Sequence, residues 1–130
     1  MFSLSAIMGV MAFANFQSTD RYLRAVERGM RQQGKKLTVD GCVDAVVTWR
    51  KGCQGARVLC DSFAPRVMRA CLEARDRRAY CAKLPPLTEG PRFGWRDCQR
   101  RGVTRKTKKA CAAAFRMVHI HCRGGRRRDG

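Results

Sequence analysis

Eight cysteines are the residues of this chain best placed to do chemistry, and their spacing favours oxidation over catalysis. Cys42/Cys53, Cys60/Cys71 and Cys111/Cys122 each enclose ten residues. Eleven helical steps of about 100° make roughly three turns, so both cysteines of a pair share one face of a helix. Two such helices laid antiparallel can be riveted at both ends. Eight cysteines allow roughly a hundred pairings, and sequence alone does not choose among them. Geometry ranks them: Cys53 with Cys60 and Cys42 with Cys71 in a first hairpin, Cys98 with Cys111 and Cys81 with Cys122 in a second. The bland alternative, buried free thiols in a cytosolic helical protein, must treat three identical spacings as accident.

Other reactive constellations are weaker. Cys111, His119, His121 and Cys122 offer N and S donors on one segment. On a helix, however, positions 119 and 121 point about 200° apart, and zinc sites favour ligands one turn apart or C-x2-C knuckles, which this chain lacks. A thiol- or metal-dependent enzyme around Cys111, His119 and Cys122 needs a free, activated thiolate, and an even cysteine count argues against one. No C-x-x-C and no Gly-rich phosphate loop is present. Asp44, Asp61, Glu73, Asp76, Glu89 and Asp97 are scattered along the chain. The expectation is therefore a non-enzyme without metal or cofactor.

Charge is the second chemical signal. The net charge is +18, from 28 Lys and Arg against 10 Asp and Glu. Residues 82–130 carry +11 of it. Arg100, Arg101, Arg105, Lys106, Lys108 and Lys109 form the densest run, crossing a turn into the start of the last helix. A helix N-terminus adds partial positive charge there. Anion binding is the expected chemistry, with an anionic polymer, an anionic lipid surface or an acidic protein as partner. The bland alternative is a solvated basic face. Nucleic acid is the runner-up partner, through Arg100–Lys109 and the tail Arg126–Arg128. Trp95 and Phe93 lie just upstream; Trp95 is expected to pack between the two halves of the domain.

Elements must hold these groups in place. Residues 2–16 carry no charge. Fifteen helical residues rise about 22 Å, short of the roughly 30 Å hydrocarbon core. The run has the length of a signal h-region, and Ala12-Phe13-Ala14 has the small-x-small form of a cleavage site, although no basic residue precedes it. Residues 1–19 read as a signal-like segment or membrane anchor, contacting a membrane through residues 2–19. The arginines after it would favour a cytoplasmic body under the positive-inside rule; cysteine spacing outweighs that, and the expected location is extracytoplasmic, whether secreted, periplasmic or membrane-anchored.

A helix over Asp20–Gln33 carries the stripe Tyr22, Leu23, Val26, Met30 and stops at Gly34. Thr38 or Asp40 caps a second from Val39 to Lys51, burying Cys42, Val43, Val46, Val47 and Trp49. A third region, Arg57 to about Ala82, should break at Pro65. Loop composition at 84–93 divides the domain. A short helix spans Gly94–Arg101, and Thr104 caps the last one, which ends near Cys122. The domain covers residues 20–122, and the basic tail 123–130 reads as disordered.

The segments CVDAVVTWRKGC, CDSFAPRVMRAC and CAAAFRMVHIHC share spacing and helical character. Over roughly residues 42–122 the chain resembles twin Cys-x9-Cys helical hairpins and secreted bacterial cysteine-rich helical repeats. Three of its pairs enclose ten residues rather than nine, and no function is carried over from either group. The fold class expected is all-α: a small disulfide-stapled helical-hairpin bundle of four to five helices behind an apolar N-terminal helix. Its expected role is a non-catalytic binding module.

Overall fold

The computed structural model of the chain describes residues 19–84 and 94–128, with the backbone alone for 125–128. Among the described residues the structure is all-helical and holds four disulfides. The apolar run and its cleavage-like triplet lie outside the described residues, as does most of the dividing loop.

Helix α1 covers residues 19–34 and buries Leu23 and Met30. Tyr22, expected on the same stripe, is 44% exposed instead. The helix ends against its neighbour's backbone: a Cβ on Gly34 would stand 2.5 Å from the Cys71 carbonyl oxygen. Helix α2, Val39–Gly52, starts where the Thr38 hydroxyl accepts a hydrogen bond from the Gly41 amide at 3.0 Å. That contact satisfies one of the orphan donors of the first turn. Asp40 in the first turn and Arg50 and Lys51 in the last complement the helix dipole. Its buried stripe is Val39, Cys42, Val43, Val46, Val47 and Arg50.

Helix α3, Arg57–Glu73, runs unbroken through Pro65, where the sequence suggested a break. An interior proline costs about 3 kcal/mol. Here Ala64, Val67 and Met68 are buried around it, and disulfides anchor the helix at Cys60 and Cys71, so packing on both sides overrides the local preference. The break falls at residues 74–77, before helix α4, Arg78–Lys83. Helix α5, Trp95–Arg100, is flanked by two left-handed glycines, Gly94 and Gly102. Helix α6, Lys108–Arg128, is the longest and continues past Cys122, where the sequence reading ends it.

Helix α6 lies at the centre of the fold. It packs chiefly on α3 and α2, and α4 and α5 lie against it. Its stripe Ala110, Cys111, Ala114, Phe115, Val118, Cys122 recurs every three to four residues and joins one continuous core with α1–α3. Gly94 is pressed onto that stripe: a Cβ there would come 2.2 Å from the Phe115 ring, and its φ of 80° disfavours any side chain.

Four disulfides fix the frame. Cys42–Cys71 joins the first turn of α2 to the end of α3, and Cys53–Cys60 joins the end of α2 to the start of α3. Cys81–Cys122 ties α4 to α6, and Cys98–Cys111 ties α5 to α6. No cysteine is free. Crosslinks of this kind form and persist in oxidising compartments. Among the described residues no helix is long and apolar enough to cross a membrane.

Candidate functional site

The basic run occupies the end of α5, the turn 101–107 and the first turn of α6. The turn forms because two threonines close it. Thr107 is fully buried; its hydroxyl accepts the Thr104 amide at 2.9 Å, and its own amide donates to the Thr104 carbonyl at 3.1 Å. The Thr104 carbonyl also accepts the Lys108 amide at 2.9 Å, and the Thr107 carbonyl accepts the Cys111 amide at 3.0 Å. Residues 105–107 form a turn, and helix α6 runs from Lys108. Its first turn holds no acidic residue, so the lysines Lys108 and Lys109 stack their charge on the positive end of the helix dipole.

The six predicted anion-binding residues are not equivalent. Arg100, Arg105, Lys108 and Lys109 are exposed. Lys106 is exposed too, and its ammonium donates to the Lys51 carbonyl at 3.0 Å, at the negative end of α2. Arg101 is a different kind of group. Its guanidinium donates to Asp44 at 2.7 Å and Asp40 at 2.9 Å, and sits 5.3 Å from the centre of the Phe115 ring. Burial pulls its pKa down, but the two carboxylates outweigh that and hold it above the usual arginine value. Arg101 clamps the α5–α6 turn onto α2, with its guanidinium taken by two carboxylates. Arg126–Arg128 lie on the helical backbone of α6, beyond the described side chains.

Acidic residues decide where the excess charge appears. Asp20, Glu27, Asp40, Asp44, Asp61, Glu73 and Asp76 each pair with an arginine within 4.0 Å. All of these carboxylates belong to α1–α3 or to the segment leading into α4. Arg100, Arg105, Lys108 and Lys109 form no ion pair within 4.0 Å among the described residues, although Asp97 stands one turn before Arg100 on α5. Hydrogen bonds from the Arg78 side chain and backbone amide, helped by its charge, hold Asp76 below its ordinary carboxylate pKa. Trp95 is 54% exposed on α5, beside the exposed Arg96 and Arg100, and does not pack between the halves as expected.

The predicted histidine–cysteine cluster separates. Cys111 and Cys122 are consumed in different disulfides. His119 and His121 are partly buried, and burial lowers the pKa of both; Arg123 adds to this for His119, while Glu73 opposes it for His121. Among the described residues no three of His, Cys, Asp and Glu are grouped to hold a metal ion.

Two arginines that the sequence reading passed over are the most buried charges. Arg50 is 1% exposed, with Nε donating to Asp61 at 2.8 Å. It stands three and four residues after Val47 and Val46, so the periodicity of α2 placed it on the core stripe. Arg77 is 6% exposed and carries no carboxylate partner; it donates to the carbonyls of Gly34, Leu37, Cys71 and Leu72 at 2.6–3.3 Å. It thereby caps the C-terminal ends of α1 and α3 together, a favourable place for a cation. Burial lowers its pKa from the ordinary arginine value, with Arg75 adding repulsion. No sequence signal marked it, because its partners are main-chain atoms. No protein-family model, curated protein or solved structure matches this chain.

Proposed function

We propose that this protein is a non-catalytic binding module of an oxidising compartment, which uses the uncompensated cations of the α5–α6 turn to hold an anionic surface or partner. One observation carries the reading. The seven paired carboxylates are taken by arginines elsewhere, including Arg101, and leave Arg100, Arg105, Lys108 and Lys109 exposed in and beside the α5–α6 turn. One disulfide, Cys98–Cys111, and the Arg101 clamp tie that turn to its neighbours, which lowers the ordering cost of binding below that of a flexible tail.

Retention of the unreduced protein on heparin tests it. Retention at low salt that falls steeply as salt rises is expected, and the triple variant R105E/K108E/K109E should elute at clearly lower salt. Absence of retention at low ionic strength removes the reading.

A second reading, single-stranded nucleic acid, draws on one specific observation: the exposed Trp95, which opens α5 ahead of the exposed Arg96 and Arg100, offers a stacking face. Trp95→Ala should then weaken oligonucleotide binding by about 1–3 kcal/mol per lost stack while leaving heparin retention intact. Equal losses on both ligands would return the argument to charge alone.

A further inference from the structure

We propose that the end of the molecule around the α2–α3 turn docks on an anionic lipid bilayer, with Val58 and Leu59 entering the acyl boundary and Lys51, Arg57 and Lys106 meeting the headgroups. This deepens the anionic-surface reading and rests on it, naming the class of surface and the point of entry.

Apolar exposure is concentrated at this end. Among the described residues, Tyr22, Val58, Leu59, Trp95 and Ile120 are the large apolar side chains left in solvent, and Val58, at 79%, is the most exposed of them. Leu59 and Tyr22, 45% and 44% exposed, line one groove of about 420 Å³ with Phe63 and the Cys53–Cys60 bond. Core packing does not need these side chains, since Cys60, Ala64, Val67 and Met68 already form the buried stripe of α3.

Cations border the same residues. Residues 52–55 line the apolar groove and also a cleft of about 580 Å³ that holds Lys51, Arg57 and Lys106. Arg50, in the same cleft, is neutralised by Asp61; the other three form no ion pair within 4.0 Å among the described residues. Helix α3 opens with no acidic residue and no side-chain cap, which leaves its dipole to add to the positive field. Protruding Val and Leu rimmed by Lys and Arg match an interface of acyl chains under phosphate headgroups. A soluble polyanion would use the cations and gain nothing from Val58.

The path of the chain agrees. Thr19, the first described residue, lines the apolar groove, so the chain enters the described body at this end. Whatever residues 2–16 do at a membrane, the face presented at that entry is the one built of Tyr22, Val58 and Leu59.

Sedimentation of the full, unreduced chain with phosphatidylcholine vesicles, with and without phosphatidylglycerol, tests this alongside heparin retention. V58S/L59S, which removes apolar surface without adding charge, should bind the anionic vesicles at least about tenfold more weakly, because two apolar side chains lose their burial. Its heparin elution should not move. R57E should weaken vesicle binding and show a smaller dependence on salt than the parent. If V58S/L59S binds anionic vesicles like the parent, the inference fails while the anionic-surface reading stands. If V58S/L59S melts much lower, or shifts the oligomeric state, then residues 1–18 or a second copy cover this face, and the inference also fails. If the parent binds neither vesicles nor heparin, the underlying reading falls first.

Discussion

The two ends of the α2–α3 pair carry the same covalent device and opposite surroundings. At the Cys42–Cys71 end both cysteines are wholly buried, Gly34 brings α1 into backbone contact, and the Arg77 guanidinium gathers four carbonyls from three segments. At the Cys53–Cys60 end the disulfide is also buried, but Arg57, Val58 and Leu59 beside it stand in solvent, and α3 begins without a side-chain cap. One end has its polar and apolar groups satisfied inside the molecule. The other leaves both kinds unsatisfied on the surface. The difference teaches that the crosslinks supply the frame at both ends, while the surroundings decide how far each end is buried.

Removing each bond measures that contrast most directly. Cys42–Cys71 closes 29 residues and Cys53–Cys60 closes 7. Chain entropy alone gives losses of about 3.5 and about 2.5 kcal/mol. Because Cys42 and Cys71 are fully buried against Gly34 and Arg77, C42A/C71A should lose more than that difference, while C53A/C60A should lose little beyond its entropy term. Denaturant melts of the two double variants check this; equal losses would break the comparison. Arg77 comes next. Replacing it with Met removes the donor from four carbonyls, at about 1–3 kcal/mol for each group left buried and unpaired, so a total near 3 kcal/mol is expected after partial relaxation. Arg57→Met, at the open end, should stay within about 0.5 kcal/mol. Between these falls Asp61→Asn, which strips the buried Arg50 of its carboxylate and should cost about 3 kcal/mol or somewhat less, because Asp61 is itself partly exposed.

How much of this was legible in the chain depends on the range of the interaction. The helical class and the element boundaries of α1 and α2 follow from local signals: the 3.6-residue stripe, the Thr38 cap and the Gly34 stop. The structure brings together Cys42 with Cys71, Cys53 with Cys60, Cys81 with Cys122 and Cys98 with Cys111, pairs that the spacing ranks first. Pro65 misled, because a local penalty was weighed without the packing that flanks it. Arg101 was grouped with Arg100, although one is clamped by Asp40 and Asp44 and the other is open; a residue's neighbours in sequence say nothing of carboxylates some sixty positions away. Arg77 was invisible for a related reason, since carbonyl oxygens are the same at every position. Trp95, expected between the two halves, is 54% exposed, while Gly94 just before it is pressed onto the Phe115 ring.

Acid supplies the gentlest separation of the two ends. The chain has two histidines, both on α6, and His121 feels Glu73 and Arg77, which places it near the closed end. Burial holds its folded pKa below the ordinary histidine value, and Arg77 adds to that while Glu73 opposes it. A base whose pKa is lower folded than unfolded binds fewer protons in the native state, so stability falls as pH drops through the unfolded value of about 6.5 and keeps falling until the folded pKa is passed. The full contribution is present above about pH 7. Melting temperature should therefore decline modestly from pH 7 to pH 5, and His121→Gln should flatten that decline more than His119→Gln does, because His119 is the less enclosed of the two. Neither histidine lines the groove or the cleft of the open end, so the vesicle and heparin affinities of a protein still folded at pH 5 should not track these two imidazoles. A melting temperature that rises on acidification would mean that the imidazolium is the form this fold prefers, with Glu73 rather than burial in command of His121.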